Sequence, residues 1–209
     1  MSVFQLPSSF CNELRSLVSG FWWGSERGKR KIPWVAWKKM RRHKGEGGLG
    51  FRDFEKFNEA LLGKQAWRII ANPDCLMARV LKGKYFPNKE FMESDLGTTP
   101  SYTWRGIWST RRVVLLGARK RVGDSKSIWV WADPWIPNTQ SRRVISPRGE
   151  QVDDLRVCEL FNEDGVTWNE EKLATLFLPF ECERIQQIRI SESKPPDEWC
   201  WELEKDGQY

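Results

Sequence analysis

Residues 46–73 read EGGLGFRDFEKFNEALLGKQAWRIIANP, and this stretch decides the architecture of the front of the chain. Its glycines form a turn. Asp53 then stands where a helix needs an N-cap, and Phe54, Phe57, Leu61, Trp67 and Ile70 recur behind it at helical spacing. Asn72-Pro73 stops that helix and starts another, since Asn caps, Pro fits a first turn and Gly83 can close the new helix. Toward the N-terminus, Ser8 or Ser9 can cap a helix carrying Phe10, Leu14, Leu17, Val18 and Phe21, with Gly24 at its end. Toward the C-terminus, a further helix is expected from about Tyr102 to Leu116, with Trp104, Ile107, Trp108 and Leu115 on its apolar side.

Past that point the period changes. Arg119–Val122 and Ser127–Trp131 flank Gly-Asp-Ser-Lys, and Ile128/Val130 alternate with Trp129/Trp131, which predicts a β-hairpin over 119–131. Residues 138–150 are polar and irregular and read as a linker. Beyond it, Asn169 can cap a helix with Glu170 and Glu171 in its first turn, and a short helix follows around Glu181–Ile188. Glu198–Leu203 alternates as a strand before a turn at 205–207; read alone, it lacks a partner, so the C-terminus is expected to be truncated. The predicted class is α+β, mainly α: a helical region with its hairpin over 1–137, a linker over 138–150, and a small acidic α/β segment over 151–209.

The chain has 209 residues and a formal net charge of +6, but the charge is unevenly spread. Residues 1–131 hold 25 basic and 11 acidic side chains, whereas residues 132–209 hold 9 basic and 17 acidic ones. A positive front of this kind points to a polyanion. No apolar run approaches the roughly 20 residues needed to cross a bilayer, the mean hydropathy is −0.60, and no membrane partner is expected. The N-terminal residues lack the basic n-region and the small-residue cleavage site of a signal peptide. Five scattered cysteines without a CxxC pair fit a reducing, intracellular compartment and carry no metal-ligand pattern.

The charge concentrates in a nine-cation run without an acid: Arg27, Lys29, Arg30, Lys31, Lys38, Lys39, Arg41, Arg42 and Lys44. Trp22, Trp23, Trp34 and Trp37 lie within or beside it. Cations interleaved with flat rings suit nucleic acid, with phosphates on the charges and bases on the rings. The competing reading makes the charges solvated and the rings core. Trp34 and Trp37, three apart, would share a helix face against Phe21 or Trp67, and Trp104 and Trp108, four apart, would do likewise.

Catalytic constellations are hard to assemble. His43 is the single histidine and lies among basic residues, without a nearby carboxylate to orient it. The run Gly45–Gly50 lacks the Gly-Lys-Ser/Thr ending of a P-loop. Asp153-Asp154 follows Gln151 and Val152 rather than an aromatic, and it has no third carboxylate at polymerase spacing. The sequence therefore predicts no catalytic residue, no metal and no cofactor.

An ordered series of longer motifs goes further. FWWG at 21–24, IPWVAWKKM at 32–40, EGGLGFRDFEKFNEALLGKQAWR at 46–68, LKGKYFPN at 81–88, PSYTWRGIW at 100–108 and RVGDSKSIWVWADPWIP at 121–137 together resemble plant LINE-type (non-LTR) retrotransposon polyproteins. The similarity is to the region downstream of the reverse-transcriptase palm and runs colinearly from about Leu6 to Tyr209. It implies a thumb-like and connector piece that grips RNA or an RNA/DNA duplex through phosphates, without sequence preference, and whose missing partner is the palm of the parent polyprotein. The resemblance places the family's polymerase aspartates upstream and its ribonuclease H carboxylates downstream of this chain. It further implies that DEWCWELEKDGQY at 197–209 opens a zinc-binding-like segment whose Cys/His positions are absent here. Nucleus or cytoplasm is the default location, with a plant organelle as the alternative. The rival functional reading is a pseudogene-like open reading frame with an incomplete fold and no selected activity.

Overall fold

The structure is a computed structural model that describes residues 2–24, 31–139, 141–149, 155–204, 206–207 and 209. Among the described residues the chain is mainly helical with one two-stranded antiparallel sheet, the α+β class expected from its patterning. It forms two compact units, residues 1–113 and 114–209.

In the first unit, α1 (Ser8–Trp22), α2 (Trp37–Met40), α3 (Phe54–Ala71), α4 (Leu76–Tyr85) and α5 (Tyr102–Ser109) follow one another, and the division between the units falls inside α6 (Arg111–Leu115). Helix α3 packs against α1, α4 and α5. It begins where the sequence puts it, because the Asp53 carboxylate accepts hydrogen bonds from the N–H groups of Glu55 (3.0 Å) and Lys56 (3.3 Å). Its inner face buries Leu62, Ala66, Trp67 and Ile69. A buried polar residue on α3, Asn58, has a specific task. Its amide accepts from Leu6 N–H at 2.8 Å and donates to Phe4 O at 2.9 Å, pinning the extended N-terminal residues along the helix. Gly106 on α5 leaves room for this strap, since a Cβ there would lie 3.3 Å from Gln5 N.

Trp104 of α5 centres a second cluster. It is fully buried, stacks on Tyr85 (centroids 4.7 Å apart) and Phe86 (5.5 Å), and donates from Nε1 to Leu96 O at 3.1 Å. The helix expected over 102–116 breaks in two at Thr110. The threonine hydroxyl donates back to Ile107 O at 2.7 Å, the local competition that ends helices, and Leu115 beyond it is exposed. Helix α1 also departs from expectation: it buries Cys11 alone, while Phe10, Leu17 and Phe21 are exposed.

The second unit contains β1 (Ala118–Arg121), α7 (Glu170–Leu176), α8 (Pro179–Gln186) and β2 (Glu198–Trp201). The expected hairpin over 119–131 is not formed. Strand β1 pairs antiparallel with β2, in a register that sets Ala118 opposite Trp201 and Arg121 opposite Glu198. The Gly-Asp-Ser-Lys segment is instead folded around a distant carboxylate. Asp197 Oδ1 accepts from the N–H groups of Gly123 and Ser125, both at 2.9 Å, and Oδ2 accepts from the N–H of Ser127 at 2.9 Å. The strand at the C-terminus therefore has a partner after all, supplied by β1.

Alternation in the second arm is real even so. Ile128 and Val130 are fully buried with Trp135, Ile136, Val157, Leu160, Leu173 and Ile185, while Trp129 and Trp131 are half-buried. Helix α7 starts at the expected cap, with Asn169 Oδ1 accepting from Lys172 N–H at 2.9 Å. The described residues of the segment expected as a linker are packed: Ile136 N–H donates to Arg142 O at 3.0 Å, and Val144 and Ser146 are buried. Buried Glu181 of α8 holds it, accepting from Ile145 N–H at 2.8 Å and Ser146 N–H at 3.1 Å. The division between the two units falls at 113/114, and Ile145 and Ser146 spend their hydrogen bonds within the second unit.

Candidate nucleic-acid interface

The basic run lies in the first unit. Arg27, Lys29 and Arg30 fall outside the described residues, as do Asp153 and Asp154. Of the other six, Lys31, Lys38, Lys39, Arg42 and Lys44 are exposed. Lys38 and Lys39 sit on α2, and Lys44 opens a single 3-10 turn over Lys44–Glu46.

Arg41 is different. Its guanidinium forms an ion pair with Asp53, the residue that caps α3, and both border a cavity of about 170 Å³ with Cys11, Arg15 and Trp37. The charge of Arg41 is thereby engaged in folding, tying the end of α2 to the start of α3.

The glycine-rich loop between these helices supplies the rigidity. Gly47 and Gly50 adopt left-handed φ values of 76° and 71°, which L side chains tolerate poorly. A Cβ on Gly48 would lie 2.0 Å from Arg42 O. Gly50 N–H donates to that same carbonyl at 3.0 Å, and Leu49 and Phe51 N–H donate to Met40 O at 3.0 and 3.3 Å. Buried Met40 and the glycine turn thus hold the backbone of 40–44 while the side chains of Arg42 and Lys44 face solvent. His43 has a local role: its Nδ1 accepts from Gly45 N–H at 3.2 Å and caps the 3-10 turn.

The rings divide. Trp37 packs on Phe51 with centroids 5.0 Å apart, and Trp22 meets the same ring edge-on at 5.0 Å. Trp34 does not share a helix face with Trp37, because α2 begins only at Trp37 after an extended Ala36. Trp34 is 88 % exposed, in the middle of the cations, and neighbouring Ile32 is 83 % exposed. The reading that put Trp34 in the core with Trp37 is therefore not met, because Ala36 is extended and the helix starts one residue later.

No three His, Cys, Asp or Glu side chains among the described residues are grouped to hold a metal ion. The five cysteines are free thiols. Burial pushes the thiols of Cys158, Cys182 and Cys200 up, and burial followed by the Glu55 and Asp53 carboxylates does the same for Cys11, so these four stay protonated near neutral pH. No helix among the described residues is long and apolar enough to cross a membrane.

Two Arabidopsis thaliana proteins are similar to this chain. The "Uncharacterized mitochondrial protein AtMg00310" is 47 % identical over 137 residues, which cover 65 % of this chain and 89 % of that protein. The "Putative ribonuclease H protein At1g65750" is 34 % identical over 217 residues, which cover all of this chain but 34 % of that protein, so the chain spans about a third of its length. No model of a known protein family matches the chain, and no solved structure does.

Proposed function

The chain belongs to the family of the Arabidopsis mitochondrial protein AtMg00310, and from that premise we propose that it is a non-catalytic piece of a non-LTR retrotransposon polyprotein that retains nonspecific binding to RNA or RNA/DNA duplex. The origin is supported by the ordered motifs over 21–137 and by similarity along the whole of this chain to a longer protein, the putative ribonuclease H protein of Arabidopsis. In the parent, the thumb and connector would lie between the palm and the zinc-binding-like and ribonuclease H segments.

One observation carries the binding reading: Trp34 is exposed and lies in the same stretch of sequence as the exposed cations Lys31, Lys38, Lys39, Arg42 and Lys44. Exposing a large ring to water is unfavourable by roughly 25 cal/mol per Å² of apolar surface, and stacking on a base recovers that cost. The lysines and arginines then neutralise the phosphates on either side. Trp34 and Lys38/Lys39 contribute by different physics, so they can be separated. Trp34→Ala should weaken binding to single-stranded RNA while leaving its salt dependence unchanged; Lys38→Gln with Lys39→Gln should flatten the salt dependence. Unaltered affinity in both variants would remove the interface.

The exposed Phe10, Leu17 and Phe21 on α1 favour a second reading, an open reading frame without selected activity whose fold lacks its palm. A monomer that unfolds in one cooperative transition argues against it. A chain that self-associates through α1 and binds no nucleic acid argues for it.

A further inference from the structure

We infer that the second unit carries a pocket for a ligand combining a phosphate with a flat body: a mononucleotide or the phosphorylated end of a nucleic-acid strand. The pocket has a volume of about 540 Å³, within the range of roughly 300–1,000 Å³ common to small-ligand sites. Its charged wall is formed by Arg119, Arg121 and Arg189, with Glu198 as the one acid among them. This concentration is local, because residues 114–209 hold 13 basic and 18 acidic side chains and are net negative.

The counter-charges are incompletely matched. Arg119 and Arg121 stand two apart on β1 and so leave the sheet on one face. Arg121 meets Glu198 at 3.0 Å in an exposed pair, a contact of little strength in water. Arg119 Nε is buried without a hydrogen-bond partner; its ionic partner, Glu202 Oε1, is 3.6 Å away. Glu202 is already occupied, accepting from Arg142 Nε at 2.5 Å and from Asn138 N–H at 2.9 Å. Arg189, just after α8, is exposed and forms no ion pair or hydrogen bond among the described residues. Guanidinium groups match phosphate oxygens through two parallel N–H donors, which a lysine cannot do.

The rest of the wall suits a flat apolar body. Val122, Ile188, Pro195 and Pro196 line it. It is also preformed. A Cβ on Gly123 would lie 2.1 Å from Pro195 O, so the two backbones are in direct contact there. Asp197 holds Gly123 N–H at 2.9 Å from the same side of the chain. A ligand would therefore lose little affinity to ordering the site.

The proposal uses no residue of the basic run, so it stands or falls apart from the interface of the first unit. Its test is a nitrogen-detected NMR titration of the full ¹⁵N-labelled chain with AMP, adenosine, inorganic phosphate, a glutamate-rich peptide, and one short oligonucleotide with and without a 5′-phosphate. AMP should shift the Arg119 and Arg189 Nε–Hε signals and the Gly123 amide saturably, and adenosine should not. Arg189→Gln should weaken AMP binding about tenfold, the loss expected for a hydrogen bond to a charged group, with the thermal midpoint unchanged. Stronger binding of the 5′-phosphorylated oligonucleotide than of AMP assigns the site to a strand end; the reverse assigns it to the free nucleotide. Absence of saturable shifts, an equal response to the glutamate-rich peptide, or full affinity in Arg189→Gln would overturn the pocket.

Discussion

Asp197 accepts hydrogen bonds from both the backbone N–H (2.9 Å) and the hydroxyl (2.7 Å) of Ser127, seventy positions earlier in the chain. With Gly123 and Ser125 on its other oxygen, one carboxylate organises the whole loop between β1 and the buried Ile128. Replacing it leaves several N–H groups unanswered, two of them on the buried residues Gly123 and Ser125. Asp197→Ala should cost about 2–4 kcal/mol, and Asp197→Asn, which keeps one acceptor oxygen, about half as much. Urea unfolding followed by tryptophan fluorescence measures both. A loss below about 0.5 kcal/mol for the alanine variant would mean the loop does not depend on this carboxylate.

The glycines separate two physical roles that a sequence cannot distinguish. At Gly83 in α4 an added Cβ meets nothing within 4 Å, so Gly83→Ala should stabilise the helix by about 0.5–1 kcal/mol through its propensity alone. At Gly123 the same methyl collides with Pro195 O, and Gly123→Ala should destabilise by about 1–3 kcal/mol. Paired thermal melts give opposite shifts if the packing is as described.

Asp164 provides a pH test. Hydrogen bonds from the Thr167 hydroxyl, then from the N–H groups of Val166 and Thr167, hold its carboxyl below the ordinary value of 3.8. A carboxylate with a lowered native pKa contributes stability that is present above the unfolded value and is lost as pH falls through the native one. A carboxyl ¹³C titration should therefore place the Asp164 midpoint below 3.8, and Thr167→Val should raise it. A midpoint at or above 3.8 in the parent chain would show that the turn does not grip this carboxylate.

Local features of the fold were legible in the sequence, and features with distant partners were not. Asp53 and Asn169 cap their helices as their types and positions require, because capping is settled within three residues. The burial of Ile128 and Val130 follows from alternation. The partner of β1 did not follow, because it lies at 198–201 and an adjacent strand-like segment offered a closer hairpin. Glu181 explains why residues 145–146 are held in place, yet nothing near those residues announces a buried carboxylate on α8. At the candidate interface the charges could be counted from the sequence. Their allocation could not: Arg41 serves Asp53, and Trp34 lies outside α2 rather than on its buried face.

The proposed RNA binding depends most heavily on phosphate contacts by Lys38, Lys39, Arg42 and Lys44, and the dependence of affinity on salt tests them most directly. Four contacts to a single strand predict a slope of about −3 in log affinity against log salt, falling in magnitude by about 0.7 for each cation removed. Fluorescence anisotropy with labelled single-stranded RNA, measured for the parent chain and for Lys38→Gln with Lys39→Gln, reads both slopes. A steep parent slope that becomes about 1.4 units shallower in the double variant is the expected result. Absence of binding at low salt, or a slope the substitutions leave unchanged, would contradict it.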